Sequence, residues 1–286
     1  MLAGFEMVPV FAGGGTRLPA YVGVLRALEE LQVRFSRLVG SSGGSLVAAL
    51  YCAGWSVERL YDLALKIDFA RFRGFSLLSL MRYGGLSSGA ALETWLDQQL
   101  GGARFCDLPL DLHVVATDVL SQQPVVFDRQ TTPEMRVATA VRFSVGIPLL
   151  FSYCRYNDSL LVDGSILAED ALRQNWGQNG APLILFRLRA EVPTVVGPSR
   201  SYYPLPHYLL LLIRTFLTSL SHEYVADLYW SKTLVIKTDS YSPLEFSLPL
   251  TAKKRLCQLG YDTTLAYLPL KLGRLRDVAV ASGDAR

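Results

Sequence analysis

The feature that most constrains this chain is a glycine-flanked turn, G-S-S-G-G at residues 40–44. An apolar segment, Leu38-Val39, precedes the turn, and a helix-like segment from Ser45 to Leu50 follows it. A G-x-S-x-G sequence between a strand and a helix predicts a nucleophile elbow, which exposes the central serine at the start of the helix. Unpaired N–H groups and the positive end of the helix dipole favour negative charge on that oxygen. Ser42 is therefore the candidate nucleophile.

Three consecutive glycines, Gly13, Gly14 and Gly15, form a second junction between an apolar segment and a helical pattern. Their bare backbone N–H groups suit the oxyanion of a tetrahedral acyl intermediate. A dinucleotide or phosphate loop is the alternative interpretation of strand, glycines and helix. The G-x-G-x-x-G pattern fails here because the sixth position counted from Gly13 is Leu18, and the Gly-Lys-Ser/Thr of a P-loop is absent from the sequence. The three glycines are predicted to form an oxyanion hole.

A serine nucleophile needs a base, and the chain has three histidines, His113, His207 and His222. His113 lies inside an apolar, strand-like segment, and the other two flank the apolar stretch Tyr208–Leu220. None of them stands in a loop that is typical of a catalytic histidine. A carboxylate held against the hydroxyl in a low-dielectric pocket is the other chemical solution. Asp163 is the candidate because it ends an apolar run and begins an Asp-Gly turn, although a structural Asx-turn aspartate has the same local pattern.

A glycine loop with a basic residue, a G-x-S-x-G elbow and a distant Asp-Gly together resemble the patatin-like phospholipases. That family hydrolyses acyl esters of glycerolipids with a Ser-Asp dyad and no histidine. The resemblance extends over most of the chain, through the segments Gly85–Gly89, Val115–Asp118, Ala138–Pro148 and Arg255–Tyr261.

The sequence departs from the family pattern at two places. Leu18 stands where a glycine usually follows the basic residue, and Pro19 behind it favours a helix start. After Asp163, the usual Gly-Gly and Asn-x-Pro are replaced by Gly164-Ser165 and Ala168-Glu169-Asp170. These changes affect loop geometry more than chemistry.

The resemblance implies a role for each matching residue. Ser42 would attack a fatty-acyl carbonyl, Asp163 would accept its proton, and the Gly13–Gly15 amides would stabilise the oxyanion before water releases the fatty acid. Arg17 matches the family's basic position, where it either contacts the lipid phosphate or anchors the loop. The resemblance implies no metal and no cofactor, and the sequence shows no His/Cys cluster with metal-ligand spacing and no EF-hand loop.

Apolar strand-like segments alternate with helical ones, which predicts an α/β fold of three layers with a mostly parallel central sheet flanked by helices. The active site is expected at the carboxyl ends of the strands. A chain of 286 residues, half of them hydrophobic, predicts a single domain over residues 1–286. The proline-rich segment Glu191–Pro206 is predicted to be a long loop, and in a regulated enzyme it would serve as a lid. The predicted strands are Met7–Ala12, Leu38–Val39, Leu112–Thr117, Val125–Phe127, Leu160–Val162, Leu183–Phe186 and Leu234–Lys237.

Charge and hydropathy limit the partners. A formal charge of +3 without a basic, aromatic-rich patch argues against nucleic acid and fits mild attraction to anionic lipid. Arg214 interrupts the apolar stretch at 208–220, which predicts a buried helix or an interfacial one rather than a membrane span. Leu77–Met81 is a second candidate for contact with a membrane. Without a signal-peptide pattern, we expect a cytoplasmic protein peripheral to membranes, with export by a signal-independent route as the alternative. Its four widely spaced cysteines are expected to be buried free thiols.

The main hypothesis is thus a lipid acyl hydrolase acting on membrane phospholipids. One regulated form of it is a bacterial effector that needs a protein or small-molecule activator. Two other classes compete with it. One is a serine esterase or peptidase with a histidine-containing triad, and the other is a non-catalytic module that senses lipid or a partner.

Overall fold

The computed structural model describes residues 4–167, 180–191 and 231–281, with side chains through residue 275, and six positions between 205 and 215. Eight of the described strands form one mixed sheet, and two short strands form a separate parallel pair. In chain order the strands are β1 Val8–Ala12, β2 Arg37–Ser41, β3 Gly85–Ser87, β4 Asp111–Asp118, β5 Gln123–Phe127, β6 Leu149–Phe151, β7 Cys154–Tyr156, β8 Ser159–Val162, β9 Leu183–Arg189 and β10 Thr233–Lys237.

Seven α-helices of the described residues flank or extend this sheet. Their amino ends carry the expected signals: α1 begins with a proline in its first turn, and Ser56 accepts a hydrogen bond from the Arg59 N–H at the start of α3. In chain order the helices are α1 Pro19–Glu30, α2 Gly43–Cys52, α3 Val57–Lys66, α4 Leu77–Tyr83, α5 Ala90–Leu100, α6 Val137–Ser144 and α7 Leu250–Ala281.

The large sheet has the strand order β10-β9-β1-β2-β4-β8-β7, with β5 on the other edge of β4. The five strands β10, β9, β1, β2 and β4 run parallel. Their carboxyl ends therefore meet at one edge of the sheet, where ligands of open α/β sheets usually bind. The glycine loop follows β1 and the serine turn follows β2, so the two motifs emerge side by side.

Two strands reach the same edge of β4 from opposite directions. β2 runs parallel to β4 and ends at Ser41, which lies opposite Val115. β8 runs antiparallel to β4 and ends at Val162, which lies opposite Thr117. The two strand ends are separated by about one residue of β4. The residue after β2 and the residue after β8 therefore face each other.

Both faces of the sheet bury apolar side chains, as expected for a central layer. Met7 and Phe11 of the β1 region belong to a large cluster with the helices α1, α2, α5, α6 and α7. The alternate residues Val8 and Val10 belong to a smaller cluster on the opposite face, with Val39, Val115 and Leu185. This alternation follows from the two-residue period of a strand.

The sequence-based predictions of an α/β fold and of seven strands are confirmed, with ends that differ by one to three residues. The three-residue strands β3, β6 and β7 were not predicted. All four cysteines are free, but only Cys52 and Cys257 are buried as expected; Cys154 is half-buried, and Cys106 is exposed because it lies in a short turn at the surface. Among the described residues, no helix is both long enough and apolar enough to cross a bilayer.

Several sequence-based predictions lie wholly or largely outside the described residues. These are the Glu191–Pro206 loop, the Tyr208–Leu220 stretch, the Ala168-Glu169-Asp170 segment, His207 and His222.

Candidate active site

Ser42 occupies a strained turn between β2 and α2. Its backbone angles, φ 50° and ψ −133°, lie outside the regions that non-glycine residues favour, at a cost of about 1–3 kcal/mol. The serine is the N-cap residue of α2, so the amino end of that helix lies next to its hydroxyl. The predicted nucleophile elbow is therefore present in the backbone.

The glycines of the elbow allow backbone segments to approach closely. A Cβ on Gly40 would lie 2.6 Å from the Ser45 Cα, and one on Gly44 would lie 2.4 Å from the Phe11 carbonyl oxygen. Any side chain at either position would push α2 away from the strands. The G-x-S-x-G pattern is thus a packing requirement of the strand-to-helix turn.

Asp163 immediately follows β8 and faces Ser42. The Ser42 hydroxyl donates a hydrogen bond of 2.7 Å to Asp163 Oδ2. The other carboxylate oxygen, Oδ1, accepts bonds from the Ser165 N–H at 2.8 Å and the Ser165 hydroxyl at 2.5 Å. Both residues are almost fully buried, with 3% of Ser42 and none of Asp163 exposed. The two side chains that the sequence singled out are in direct contact.

The surroundings of Asp163 set its proton affinity. Burial raises the pKa of this carboxyl group above its usual value, because the charged form loses its hydration. Hydrogen bonds from Ser165 and Ser42 act in the opposite direction and offset part of that rise. The result is a carboxylate that is more basic than an ordinary aspartate and is bonded to a serine hydroxyl.

Ser144, at the end of α6, is a supporting residue that sequence reasoning missed. Its hydroxyl accepts a hydrogen bond of 2.9 Å from the Ser42 N–H and donates one of 2.5 Å to the Val115 carbonyl. Its carbonyl accepts a bond from the Gly164 N–H at 3.0 Å. Ser144 therefore bonds to β4, to the backbone of Ser42 and to Gly164, the residue after Asp163. A serine at the end of a mostly apolar helical segment was the available signal.

The three glycines of the predicted oxyanion hole do not have equivalent surroundings. All three have positive φ, between 56° and 112°, which explains the run of glycines. The Gly13 N–H already donates to the carbonyl (3.2 Å) and the hydroxyl (3.1 Å) of Ser41. Among the described residues, the N–H groups of Gly14 and Gly15 donate no hydrogen bond. Gly13 therefore ties the loop to β2, whereas the next two amides are available to a ligand.

Gly43, the residue after the nucleophile, offers a further amide. A Cβ on Gly43 would lie 2.2 Å from the Gly15 carbonyl oxygen, so the elbow and the loop pack backbone to backbone. Its N–H also has no acceptor within the described part of the chain. The amide after the nucleophile is a common oxyanion donor, and the sequence-based prediction did not include it.

Arg17 is buried, with 2% of the residue exposed. Its guanidinium donates to the Gly14 carbonyl at 3.2 Å, the Thr238 hydroxyl at 2.8 Å and the Leu188 carbonyl at 3.4 Å. Burial lowers its pKa to about 10. Of the two roles expected for Arg17, the structure favours anchoring of the loop. The substrate-binding role does not agree with a guanidinium enclosed by protein.

An apolar pocket opens beside Ser42, and Gly15, Thr16 and Gly43 line it next to the serine. The remaining walls come from several helices and loops. These apolar wall residues are Leu18, Leu46, Phe69, Phe72, Leu92, Val145, Ile147, Phe151, Pro243 and Phe246. Such a lining suits a hydrocarbon chain attached to a group that reacts at Ser42.

His113 lies away from this site. One ring nitrogen is 3.0 Å from an Asp111 carboxylate oxygen, and the other is 3.3 Å from an Asp128 carboxylate oxygen. The buried position expected for His113 from its apolar segment agrees with this arrangement. Within the described ranges, no group of three or more His, Cys, Asp or Glu side chains has the arrangement of a metal site.

The fold and the serine turn define an α/β protein with a nucleophile elbow, and the comparisons name its family. A family model described as patatin-like phospholipase matches residues 10–174, more than half of the chain. The chain belongs to the patatin-like phospholipase family, and that membership implies a lipid hydrolase.

Individual relatives are distant in sequence. The uncharacterized protein YqhO of Bacillus subtilis is 25% identical over a gapped alignment of 292 positions that covers 91% of this chain and 97% of YqhO. Among solved structures, VipD from Legionella pneumophila matches with a TM-score of 0.57 at 16% identity, over 93% of this chain and 67% of VipD. ExoU from Pseudomonas aeruginosa, solved in complex with SpcU, matches with a TM-score of 0.56 at 19% identity, over 94% of this chain and 53% of ExoU. These two structures share the fold, and this chain spans about half the length of ExoU.

Proposed function

We propose that this protein hydrolyses fatty-acyl esters of membrane glycerophospholipids through a Ser42–Asp163 dyad and an acyl-enzyme intermediate. The observation that carries the proposal is the 2.7 Å hydrogen bond between the Ser42 hydroxyl and Asp163 Oδ2 in a buried site. A serine hydroxyl is a weak nucleophile until a base accepts its proton. Asp163 is the group in contact with it.

In the first step, Ser42 Oγ attacks the carbonyl carbon of the ester while its proton passes to Asp163 Oδ2. Burial raises the pKa of Asp163, which makes this transfer easier than to an ordinary aspartate. The two hydrogen bonds from Ser165 keep the carboxylate ionised before the attack and fix its orientation. The carboxyl group then protonates the leaving alcohol, which is a lysolipid.

The tetrahedral oxyanion needs donors that are already oriented. We assign this role to the Gly15 and Gly43 amides, which line the same pocket as Ser42, with Gly14 as the neighbouring donor. Gly13 positions the loop through its bonds to Ser41. Loss of one such donor typically lowers turnover by about 10²–10³-fold.

Deacylation repeats the chemistry with water as the nucleophile. Asp163 Oδ2 accepts a proton from the water, the water oxygen attacks the acyl carbon, and Ser42 Oγ leaves and regains a proton from the carboxyl group. The products are a fatty acid and the free enzyme. The apolar pocket accommodates the acyl chain during both steps.

The test is release of fatty acid from mixed phospholipid vesicles by the purified protein. We expect Ser42→Ala and Asp163→Asn each to lower the rate by about 10³-fold or more. Asp128→Asn is a matched control, since Asp128 is also buried but faces His113 and a turn instead of Ser42. Equal rates for the wild type and Ser42→Ala would refute the dyad.

The assay also needs an arm with crude host extract, which tests for a required partner, because ExoU was solved in complex with SpcU. Activity that appears only with extract identifies a regulated enzyme. A biological effect that Ser42→Ala retains in full, without any fatty-acid release, would instead indicate a non-catalytic module.

A histidine triad is tested by replacing His113, His207 and His222 singly. His113 is held by two aspartates, which argues against a catalytic role for it. We expect hydrolysis to remain largely intact in each variant. A loss of several orders of magnitude in one of them would support the triad.

A further inference from the structure

Helix α4 presents an apolar face to solvent. No residue of this helix is buried, and Leu77, Leu78 and Met81 are 52%, 75% and 86% exposed. Phe75, just before the helix, is 66% exposed. Positions 77, 78 and 81 lie on one side of a helix, so these side chains form a continuous ridge. Exposed apolar patches of this kind mark interaction surfaces.

The ridge is held in a fixed place by contacts on the opposite side of the helix. Ser76 accepts a hydrogen bond from the Ser79 N–H at the start of α4, and its own N–H donates to the Leu86 carbonyl in β3. At the other end, the Tyr153 N–H donates to the Tyr83 carbonyl. Ser79 lies toward the protein, 3.4 Å from the Ser152 hydroxyl. The apolar side chains thus face outward from an anchored helix.

The charge along this segment of the chain has one sign. Arg71, Arg73 and Arg82 are exposed, and the sequence from Phe69 to Leu92 contains no aspartate or glutamate. Arg82 follows Leu78 at the i+4 position, so it lies at the edge of the apolar face. Exposed apolar side chains bordered by arginines favour an anionic lipid surface, where each basic residue contributes about 1 kcal/mol of attraction, a factor of about five in affinity.

The segments on both sides of the ridge in the chain lead to the pocket beside Ser42. Phe69 and Phe72, which precede it in the chain, line that pocket. Arg73 lies over the ring of Phe246, another pocket residue, at 5.8 Å. Strand β3, which follows α4, pairs with β6, and Phe151 of β6 also lines the pocket.

We propose that Phe75, Leu77, Leu78 and Met81, with Arg71, Arg73 and Arg82, form a docking surface for an anionic phospholipid bilayer, here called the α4 surface. The apolar side chains enter the interface and the arginines contact lipid phosphates. Docking would deliver lipid to the adjacent pocket, and this purpose rests on the proposed function. The binding of the α4 surface to a bilayer does not depend on that function.

The test is co-sedimentation with vesicles, with the Ser42→Ala protein as background so that the lipid stays intact. One vesicle type is phosphatidylcholine alone, and the other contains phosphatidylglycerol as well. We expect preferential binding to the anionic vesicles. The double change Leu78→Gln/Met81→Gln should weaken that binding by about tenfold or more, because two apolar side chains no longer enter the interface. Arg82→Gln should weaken binding to the anionic vesicles and leave any binding to phosphatidylcholine alone unchanged.

The matched control is Leu270→Gln, which replaces a leucine of α7 that is 60% exposed and lies outside the α4 surface. Its vesicle binding should equal that of the background protein. Unchanged melting temperatures would show that all variants remain folded.

Three results would overturn the proposal: no vesicle binding, equal binding to both vesicle types, or undiminished binding by Leu78→Gln/Met81→Gln. A dimer that dissociates in the double variant while vesicle binding persists would assign the surface to a second copy of the chain. Hydrolysis of a soluble short-chain ester by the wild type tests the proposed function separately. Binding without hydrolysis, both with and without host extract, refutes the function alone, and hydrolysis without binding refutes the docking alone.

Discussion

At the scale of single residues, the site depends on a buried carboxylate with three hydrogen-bond donors. Asp163 receives the Ser42 hydroxyl on one oxygen and two groups of Ser165 on the other. Burial raises its pKa, so an ionised Asp163 lowers the stability of the fold while it supplies a base. Activity and stability therefore oppose each other at this position.

Asp163→Asn should raise the melting temperature at neutral pH. The pKa of Asp163 is higher in the folded chain than in the unfolded chain, so its contribution to the free energy of unfolding is complete at low pH and is lost as pH rises through the folded-state pKa. An asparagine stays neutral, and its Oδ1 and Nδ2 can serve Ser165 and Ser42 respectively. Melting curves of both proteins over a pH series measure the difference, which should shrink as the pH falls through that pKa. A difference that is independent of pH would contradict this account.

Ser165→Ala should move the acidic limb of the pH–rate profile of kcat/KM to higher pH. The Ser165 hydroxyl bonds Asp163 Oδ1 and lowers the pKa of that carboxyl group, so its removal raises the pKa and the base is protonated at a higher pH. The backbone N–H still holds the carboxylate in place. Ser165→Thr keeps a hydroxyl and should restore the wild-type limb. An equal loss of rate at every pH would indicate that Ser165 has only a structural role.

The sequence was sufficient to identify Ser42 and Asp163 as candidate site residues, because each lies at a recognisable junction of strand and turn. Their direct contact agrees with the pairing that the family resemblance implied, while their catalytic roles remain a proposal. Ser144 was not identified, because its contacts with Ser42 and Val115 form only in the folded chain. The Gly43 amide follows from the nucleophile elbow itself and was overlooked. The involvement of the Gly13 N–H with Ser41 likewise depends on the pairing of β1 with β2.

At the scale of elements, the site exists because β2 and β8 end face to face along β4. Gly164 makes this meeting feasible, since a Cβ at this position would lie 1.8 Å from the Val115 carbonyl oxygen. The same carbonyl accepts the Ser144 hydroxyl. A small displacement of β8 would therefore move Asp163 relative to Ser42.

Gly164→Ala should lower turnover by about 10²-fold, because a displacement near 1 Å at a reacting group has effects of this size. Overpacking should also destabilise the fold by about 1–3 kcal/mol. Fatty-acid release and denaturant unfolding measure the two effects. Gly273→Ala is the control: a Cβ there has no atom within 4 Å, and helix propensity favours alanine by about 1 kcal/mol. Full turnover by Gly164→Ala would show that the register of β8 does not limit the reaction.

Elements with a strong apolar pattern were predictable, and short ones were not. Strand β4 has eight residues, seven of them buried, and the sequence pattern identified it. Strands β3, β6 and β7 have three residues each, which is too few for a period to emerge. Their pairing is decided by neighbours that are distant in sequence, such as β3 with β6.

At the scale of the whole molecule, the family match ends at residue 174, but the sheet does not. Strand β1 pairs along its full length with β9, and β9 pairs with β10. Helix α7 packs extensively against α1. A single domain over residues 1–286 therefore remains our prediction. In this domain, β9 from the carboxyl-terminal part of the chain pairs with β1.

A fragment of residues 1–174 should fail to fold cooperatively. It would leave one edge of β1 unpaired and expose the face of α1 that α7 covers. Circular dichroism melting and amide dispersion in NMR spectra measure this, with residues 1–286 as the control. A fragment with a sharp thermal transition and dispersed amide signals would show that residues 1–174 form an independent domain.

The anchoring of Arg17 affects how mutational data on this protein must be interpreted. Its guanidinium bonds reach the Leu188 carbonyl and the Thr238 hydroxyl, and the Thr16 N–H donates to the Pro243 carbonyl. The shape of the glycine loop thus depends on contacts with residues more than 160 positions downstream. A genetic screen scored by enzymatic output would return hits at Thr238, although that side chain contacts the arginine and not the reacting serine. Such hits would map the scaffold of the loop and should not be counted as additional catalysts.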